Sequence, residues 1–293
     1  MLPLRCRCGV RRLALAALLL TQVGCSSTSF FYNRLDTLIN WYVDDYVTLT
    51  RDQRAEFDNQ LNELLAWHRR EELPRYADLL TQFENDLDPE LEPEAVERLF
   101  QALSDAADRL EIRSLELMVG YGASLSLEQR LEFMDGMQRE QGEQREEMLS
   151  RSDQQYLDDV RERFADNLAR FMGRLTPEQK ALIDQRIAGY RRLDGPWLDD
   201  REQWLAQLQV IVAEDAPDWP AQVWAVLDDR EANRSSDYRD VFDNNSRISR
   251  DVFREVINQR TAKQDKRLRR KINGYRGDFI ALAAQAEQGS VKQ

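Results

Sequence analysis

Three copies of one short motif constrain the fold more than any other feature of this sequence. In a capping box, a Ser or Thr hydroxyl accepts the backbone N–H three residues on, and a Gln at that position accepts the N–H of the hydroxyl residue. We therefore predict that helices begin directly after Thr50, Ser126 and Thr176. Their separations of 76 and 50 residues are unequal, which argues against a solenoid of fixed period. The three motifs span Leu49–Gln53, Leu125–Gln129 and Leu175–Gln179.

Apolar residues between these motifs recur at spacings of three and four, as they do along one face of a helix. No convincing stretch alternates with the period of two that a strand requires. The chain of 293 residues contains only 12 Gly and 8 Pro, and it is long enough to bury a sizeable core. We predict an all-α fold, a multi-helix bundle with several long amphipathic helices and no sheet.

Some predicted boundaries have consequences for function. The two longest predicted helices have polar middles, Gln138–Glu147 and Asn258–Arg267, and we expect the first of these to project into water. Such polar middles would suit a binding surface, or they could simply bridge solvent between two packed ends. The boundaries are a helix over 30–47, a helix that ends before Pro74, helices over 127–173 and 246–286, and a loop over Asn233–Asn245.

The first 24 residues have the layout of a secretory signal. Arginines precede a short apolar run, Leu13–Leu20, and a small residue, Gly24, precedes Cys25. The apolar run is too short to span a bilayer, which takes about 20 residues. Gly24–Cys25 resembles the bacterial lipobox, although Gln22 stands where that motif usually has Leu. The resemblance implies that Cys25 becomes a diacylated N-terminus; the alternative is an ordinary signal peptide.

This reading sets the predicted domain organisation. Residues 1–24 would be the signal peptide, 25–29 a lipidated tether, and 30–293 a helical domain with a possible subdivision near 174 or 233–245. The resemblance also implies that the protein is anchored at the periplasmic face of the outer membrane. The residue after Cys25 is Ser26, whereas an aspartate at that position marks retention in the inner membrane. Cys6 and Cys8 would be removed, so we expect no disulfide framework.

Charge is distributed unevenly along the chain. Loss of residues 1–24 removes four arginines and no acid, which takes the net charge from −12 to −16. Residues 245–276 nevertheless carry eleven basic and three acidic groups, and Arg267, Arg269 and Arg270 lie among them. An exported acidic protein is a poor nucleic-acid binder, since phosphate neutralisation dominates such affinity. We expect these basic residues to pair first with the acidic body, and secondly to meet an anionic membrane or lipopolysaccharide.

Few residue patterns suggest catalysis. The sequence lacks a Gly-rich phosphate loop, a GxSxG elbow and an HExxH helix, so we predict no cofactor, no metal and no enzymatic activity. His68 is the only histidine, and its place on an apolar stripe favours a structural role. Asp44 and Asp45 beside Trp41 resemble the lining of a sugar or cation site. The same residues would equally suit an N-terminal helix packed on the body.

Two resemblances bear on function. The segment YNRLDTLINWYVDDYVTLTRDQ, at 32–53, resembles the start of an uncharacterised, pseudomonad-type lipoprotein family of Gram-negative bacteria, a likeness that extends over most of the mature chain. The three capping motifs resemble the LTxxQ boxes of Spy/CpxP-type periplasmic proteins, which are all-helical stress proteins and ATP-independent chaperones. Together they imply a non-enzymatic, membrane-tethered protein that binds envelope proteins as chaperone, stress sensor or scaffold, in an oligomeric state that stays open. The alternative is an envelope enzyme that acts on glycan or peptidoglycan through carboxylates near Trp41.

Overall fold

The computed structural model describes residues 26–290, and it describes side chains over 28–286. Within residues 26–290 the chain is helical almost throughout and contains no strand, which confirms the predicted all-α bundle. The predicted signal peptide, 1–24, and the lipidation site, Cys25, lie outside the described residues. None of the described helices is both long enough and apolar enough to cross a membrane.

The helices follow one another with short connections, and a π-helical turn, His68–Glu72, joins the third to the fourth. In chain order they are α1 (Ser26–Tyr32), α2 (Leu35–Asp44), α3 (Arg51–Trp67), α4 (Leu73–Asp86), α5 (Pro93–Gly122), α6 (Leu127–Ser150), α7 (Asp153–Met172), α8 (Pro177–Ile187), α9 (Asp194–Glu214), α10 (Trp219–Asp229), α11 (Ser236–Asn258) and α12 (Ala262–Ser290).

The core consists of several apolar clusters rather than one. The largest joins α4, the start of α5, and α7, α8, α11 and α12, with Leu87, Ile187 and Val252 fully buried. A second lies among the end of α5, α6, α9 and α10, around Met134 and Leu205. Two smaller clusters seat α2 and α1 on the body. Helix α12 packs most extensively against α4, and α6 against α9.

Three of the long predicted helices are interrupted in the structure. The helix predicted over 30–47 divides at Asn33 and Arg34, between α1 and α2. The prediction of one helix over 127–173 is also wrong, because Ser152 starts a new helix. Its hydroxyl accepts the N–H of Gln155 at 3.2 Å, and its own N–H donates to the Gln155 side chain at 2.8 Å. This is a fourth capping box, hidden in a polar stretch.

A fifth box divides the helix predicted over 246–286. The N–H of Thr261 donates to Oε1 of Gln264 at 2.9 Å, and the N–H of Gln264 donates to the Thr261 hydroxyl at 3.3 Å. Helix α11 therefore ends at Asn258 and α12 begins at Ala262. Neither Ser152 nor Thr261 follows a Leu, so the Leu-containing pattern missed both boxes.

Two further boundary predictions were wrong. The loop predicted over Asn233–Asn245 is mostly helix α11, because Ser235 accepts the N–H of Tyr238 at 3.1 Å as an N-cap and Tyr238 and Val241 are buried. The helix predicted to stop before Pro74 continues into α4. Proline lacks only an N–H that the first turn of a helix leaves unused, so Pro74 is tolerated there.

The polar middles of the two predicted long helices do not simply project into water. Glu140, Gln141 and Gln144 of α6 are all buried, since α9 covers that face and the Gln141 amide donates to the Leu198 carbonyl at 3.0 Å. In the second polar stretch, Gln264 is buried as well. The expectation of a solvated polar surface is therefore wrong for these side chains.

Candidate functional site

An exposed apolar surface lies at the N-terminal end of the described chain. Its members, which we call the aromatic strip, are Phe30, Phe31, Leu38 and Trp41. Trp41 is 66% exposed and Phe30 is 51% exposed, values that burial in the core would not leave to large apolar side chains. The opposite face of α1 packs on the body through Tyr32. The strip consequently faces away from the core.

The structure separates the two acids predicted beside Trp41. Asp44 forms an ion pair with Arg54 of α3. Asp45 instead lines a surface cavity of about 720 Å³ whose lining does not include Trp41. Trp41, Asp44 and Asp45 thus do not converge on one site, and Trp41 belongs to the aromatic strip.

The cavity beside Asp45 is acidic. It is lined by Glu128, Glu132 and Asp135 of α6 as well as by Asp45, and Arg139 is the one basic residue in its lining. Each of these four carboxylates is exposed, so water solvates them. Glu132 also accepts hydrogen bonds from the backbone N–H of Thr48 at 3.2 Å and from its hydroxyl at 3.0 Å. Chemically, such a cavity can attract a cationic group.

Beneath this cavity lies a buried polar network that the sequence did not suggest. The Tyr46 hydroxyl donates to Glu140 Oε2, and it also lies 2.7 Å from the Tyr42 hydroxyl. The Gln144 amide donates to Glu140 Oε1 at 3.0 Å. Burial, together with the hydrogen bond to Glu140, raises the pKa of Tyr46 far above its ordinary value. A Cβ at Gly136 would lie 2.9 Å from the Tyr46 ring, so this packing requires glycine.

His68 lies in a second buried cluster. The Tyr32 hydroxyl is 2.6 Å from its Nδ1, and the Tyr76 hydroxyl is 3.4 Å from its Nε2. Burial lowers the pKa of His68 to about 4, against the opposing effect of Glu72. Glu72 is fully buried and receives two hydrogen bonds of 2.8 Å from Arg109. The geometry agrees with a structural role for His68, which holds α1 against the π-helical turn.

The basic segment, residues 245–276, contains arginines that form ion pairs and arginines that do not. Arg269 binds Asp88 at 2.7 Å and Asp265 at 3.0 Å. Arg267 and Arg270 are exposed, and over residues 28–286 neither has an acidic partner. Internal pairing accordingly accounts for part of the segment. Ion pairs link basic residues of 245–276 to acids on other elements: Arg250 with Glu97, Arg260 and Arg269 with Asp88, and Arg276 with Glu84. Glu255, an acid of the same stretch, pairs with Arg186 of α8.

Arg267 lies beside Gly173, where α7 ends against α12, and Lys271 and Tyr275 follow it along α12 at helical spacings of four. Phe171 is 37% exposed, and its ring centroid lies 5.9 Å from that of Tyr275. Nζ of Lys271 lies 5.8 Å from the centroid of the same tyrosine ring. Gly173 follows the last residue of α7 with a φ of 86°, and it lies so close to α12 that a Cβ there would be 3.0 Å from the Arg267 side chain. We call this the basic–aromatic surface: Phe171, Arg174, Arg267, Arg270, Lys271 and Tyr275.

Comparison with known proteins gives one match. A family model described as a family of unknown function (DUF6279) matches residues 45–239. No curated protein matches the chain, and no solved structure matches it. The family match covers about two thirds of the sequence, including the acidic cavity, Tyr46, Glu140 and Gln144 of the buried polar network, and Phe171. It does not reach Trp41 or the basic residues of α12.

Proposed function

We propose that this chain, which belongs to the family of unknown function DUF6279, is an outer-membrane-anchored periplasmic lipoprotein that binds other envelope proteins and catalyses no reaction. Its role would be that of a chaperone-like, stress-related or scaffold protein. The signal-like N-terminus and Cys25 support the anchor. The basic–aromatic surface supports the binding role.

The composition of the basic–aromatic surface carries the proposal. Arginine and aromatic residues are enriched at protein interfaces and dominate their binding energy, since both bury large areas and make directed polar contacts. Here Phe171 and Tyr275 supply the rings, while Arg267 and Arg270 supply positive charge without an acidic partner in the described chain. On a processed chain of net charge −16, this positive surface would attract an acidic surface of a partner.

Photo-crosslinking in intact cells tests this binding surface. A photoreactive amino acid at position 171 should capture envelope proteins, whereas the same amino acid at position 112 should capture few. Ile112 is a suitable control because it is also apolar and is 52% exposed, but it lies on α5. Reversing the charge of Arg267 and Arg270 should reduce capture at position 171. Equal capture at both positions would contradict the proposal.

Aggregation assays distinguish a chaperone from a scaffold. If the role is chaperone-like, purified chain without residues 1–25 should suppress aggregation of an unfolding client without ATP. Suppression should weaken with added salt, because screening over about 8 Å at physiological ionic strength reduces the contribution of the basic residues. Failure at several-fold molar excess over unrelated clients would leave the scaffold role as the better proposal.

The anchor has its own tests. Intact mass of the membrane fraction should show a chain that begins at an acylated Cys25, and Cys25→Ala should abolish the modification. Several acyl chains together anchor a protein stably, so the wild type should fractionate with membranes. Density-gradient fractionation should place it with the outer membrane, and enrichment with inner-membrane markers would contradict that location.

The acidic cavity favours a second candidate function, an envelope enzyme acting on glycan or peptidoglycan. Glycoside hydrolysis requires two carboxyl groups about 5–10 Å apart, and Asp45 shares its cavity with three further acids. Under our proposal purified protein releases no products from peptidoglycan. Hydrolysis that Asp45→Asn or Glu128→Gln abolishes would establish the enzyme instead.

A further inference from the structure

The aromatic strip begins immediately after the proposed anchor. Phe30 lies five residues after Cys25, and helix α1 starts at Ser26. At 1.5 Å per helical residue, five residues span only about 8 Å along the axis. Acyl chains on Cys25 would therefore hold the first aromatic side chains at the level of the lipid headgroups.

The strip has members on both α1 and α2, and Arg34 lies between them. The Arg34 guanidinium stacks on the Phe30 ring, 3.6 Å from its centroid, and bridges the break between the two helices. Leu38 and Trp41 then follow Arg34 at spacings of four and three, which places them on the same side of α2. The opposite side of α2 is occupied, because Ile39 packs in the apolar cluster with α3.

We propose that the aromatic strip lies in the interface between the headgroups and the acyl chains of the membrane that anchors Cys25, an inference that rests on the proposed function. Tryptophan favours this depth, where its ring enters the apolar layer and its indole N–H stays hydrated, and phenylalanine and leucine add apolar area beside it. Arg34, whose guanidinium lies over the Phe30 ring, can donate hydrogen bonds to lipid phosphates at the same depth.

The bilayer is favoured over a protein partner because of this position. A surface whose first ring lies about 8 Å along the helix axis from acylated Cys25 meets lipid before it can meet another macromolecule. Charge contributes little, since the exposed Asp36 offsets Arg34 on the same short segment. Binding of the strip should therefore respond to apolar area rather than to salt.

Docking of the strip would also orient the body. Helix α1 is fixed by the Tyr32 hydroxyl on His68, and α2 by Asn40, whose amide donates to Asp58 at 2.8 Å. The ion pair of Arg54 with Asp44 adds a second link between α2 and α3. Because these contacts are direct, α1 and α2 lying on the membrane would hold the helical body in one orientation relative to the bilayer.

Trp41 provides the probe for a direct test. It is exposed, whereas the other five tryptophans, all within the described residues, are half-buried or buried. The acylated chain is reconstituted into phosphatidylethanolamine and phosphatidylglycerol vesicles with brominated acyl chains, which quench fluorescence at close range. Wild-type emission should be quenched, at low and at high salt. Trp41→Phe should remove the quenched component, and Trp204→Phe, the control, should retain it.

A second variant tests the strip without removing the probe. Replacing Phe30 and Phe31 with Ser should reduce quenching of Trp41, because the strip would bind the interface less firmly. Retained acylation is checked by intact mass, so loss of the anchor is distinguished from loss of docking. An acylated chain whose Trp41 is not quenched would overturn the inference and leave the lipoprotein proposal standing. Crosslinks between copies through position 41 would assign the strip to self-association instead.

Discussion

At two junctions in this molecule, a pair of capping boxes meets in the same geometry but in very different surroundings. In the first junction, the starts of α3 and α6 meet, and Gln53 and Gln129 exchange amide hydrogen bonds of 2.9 and 2.8 Å. In the second, the starts of α8 and α12 meet, and Gln179 and Gln264 exchange bonds of 3.1 and 2.8 Å. In both, each glutamine oxygen also accepts the N–H of its own N-cap residue.

The two junctions share one more hydrogen bond, from a glutamine amide to a backbone carbonyl. The Gln129 amide donates to the carbonyl of Thr48, two residues before the N-cap Thr50, at 2.9 Å. The Gln264 amide donates at 3.1 Å to the carbonyl of Arg174, two residues before the N-cap Thr176. One local motif thus builds the same contact twice, although its partners are separated by different lengths of chain.

Burial distinguishes the two junctions. Gln53 and Gln129 are half-buried, whereas Gln179 is 0% and Gln264 4% exposed. The Gln179 amide also lies 3.4 Å from the Val256 carbonyl and 3.3 Å from that of Gln259, so it ties α8 to the end of α11. A polar group that loses its partner costs more where water cannot replace it. The second junction should therefore tolerate change far less than the first.

The junctions also explain the choice of glutamine. A capping box alone accepts either Glu or Gln, because only an oxygen is needed at the third position. Pairing with a second box also needs a hydrogen-bond donor. Of the two residues, only glutamine carries an acceptor oxygen and a donor N–H on one side chain.

The largest expected effect is that of Gln179→Glu compared with Gln53→Glu. A carboxylate at 179 would face the carbonyls of Val256 and Gln259 without a proton to donate, and we expect a loss of about 3 kcal/mol at neutral pH. At 53, water reaches the new charge and the helix start favours it, so the loss should stay below about 1 kcal/mol. Urea unfolding followed by circular dichroism measures both.

The pH dependence of Gln179→Glu has a definite sign. Burial raises the pKa of a carboxyl group, so the folded variant binds a proton that the unfolded chain has already released. The cost relative to wild type should therefore shrink as the pH falls toward the ordinary glutamate range. Gln155→Glu, in the box at Ser152, serves as a matched control and should cost little at any pH. Equal losses at 179, 53 and 155 would refute the role of burial.

An intermediate effect is expected from truncation. Gln264→Ala should cost about 2 kcal/mol, because it removes the hydrogen bond that the Arg174 carbonyl accepts and both hydrogen bonds to the buried amide of Gln179. Gln129→Ala should cost about 1 kcal/mol, since water can satisfy the groups it leaves. Double-mutant cycles on each glutamine pair would measure the coupling directly, and a weaker coupling at the second junction would contradict the comparison.

The sequence revealed the capping but not the pairing. Thr50, Ser126 and Thr176 were confirmed as N-caps because a capping box depends only on residues three apart. That Gln53 meets Gln129 depends on how α3 and α6 pack, which local spacing does not contain. The burial of Glu140 was missed for the same reason. The all-α class was predictable because helical periodicity runs through most of the chain.

The candidate surfaces were predictable to an unequal degree. Local composition drew attention to Trp41 and to the arginines of residues 267–270, and the structure leaves Trp41, Arg267 and Arg270 exposed. Only tertiary contacts could show that Arg269 forms an ion pair with Asp88, 181 residues away in sequence. Phe171 was missed because its place beside Tyr275 depends on the close approach of α7 to α12 at Gly173.

The smallest expected difference concerns the N-caps themselves. The hydroxyl of Thr176 accepts the N–H of Gln179 at 3.2 Å, and that of Thr50 accepts the N–H of Gln53 at 3.3 Å. Thr50 is exposed and Thr176 is half-buried, so at either helix start a water molecule can take the place of the lost hydroxyl and accept the freed N–H. Thr176→Ala and Thr50→Ala should therefore each cost about 1 kcal/mol, with little difference between the junctions. If Thr176→Ala proves several-fold more costly in urea unfolding, the difference between the junctions would lie in the caps as well as in the paired amides.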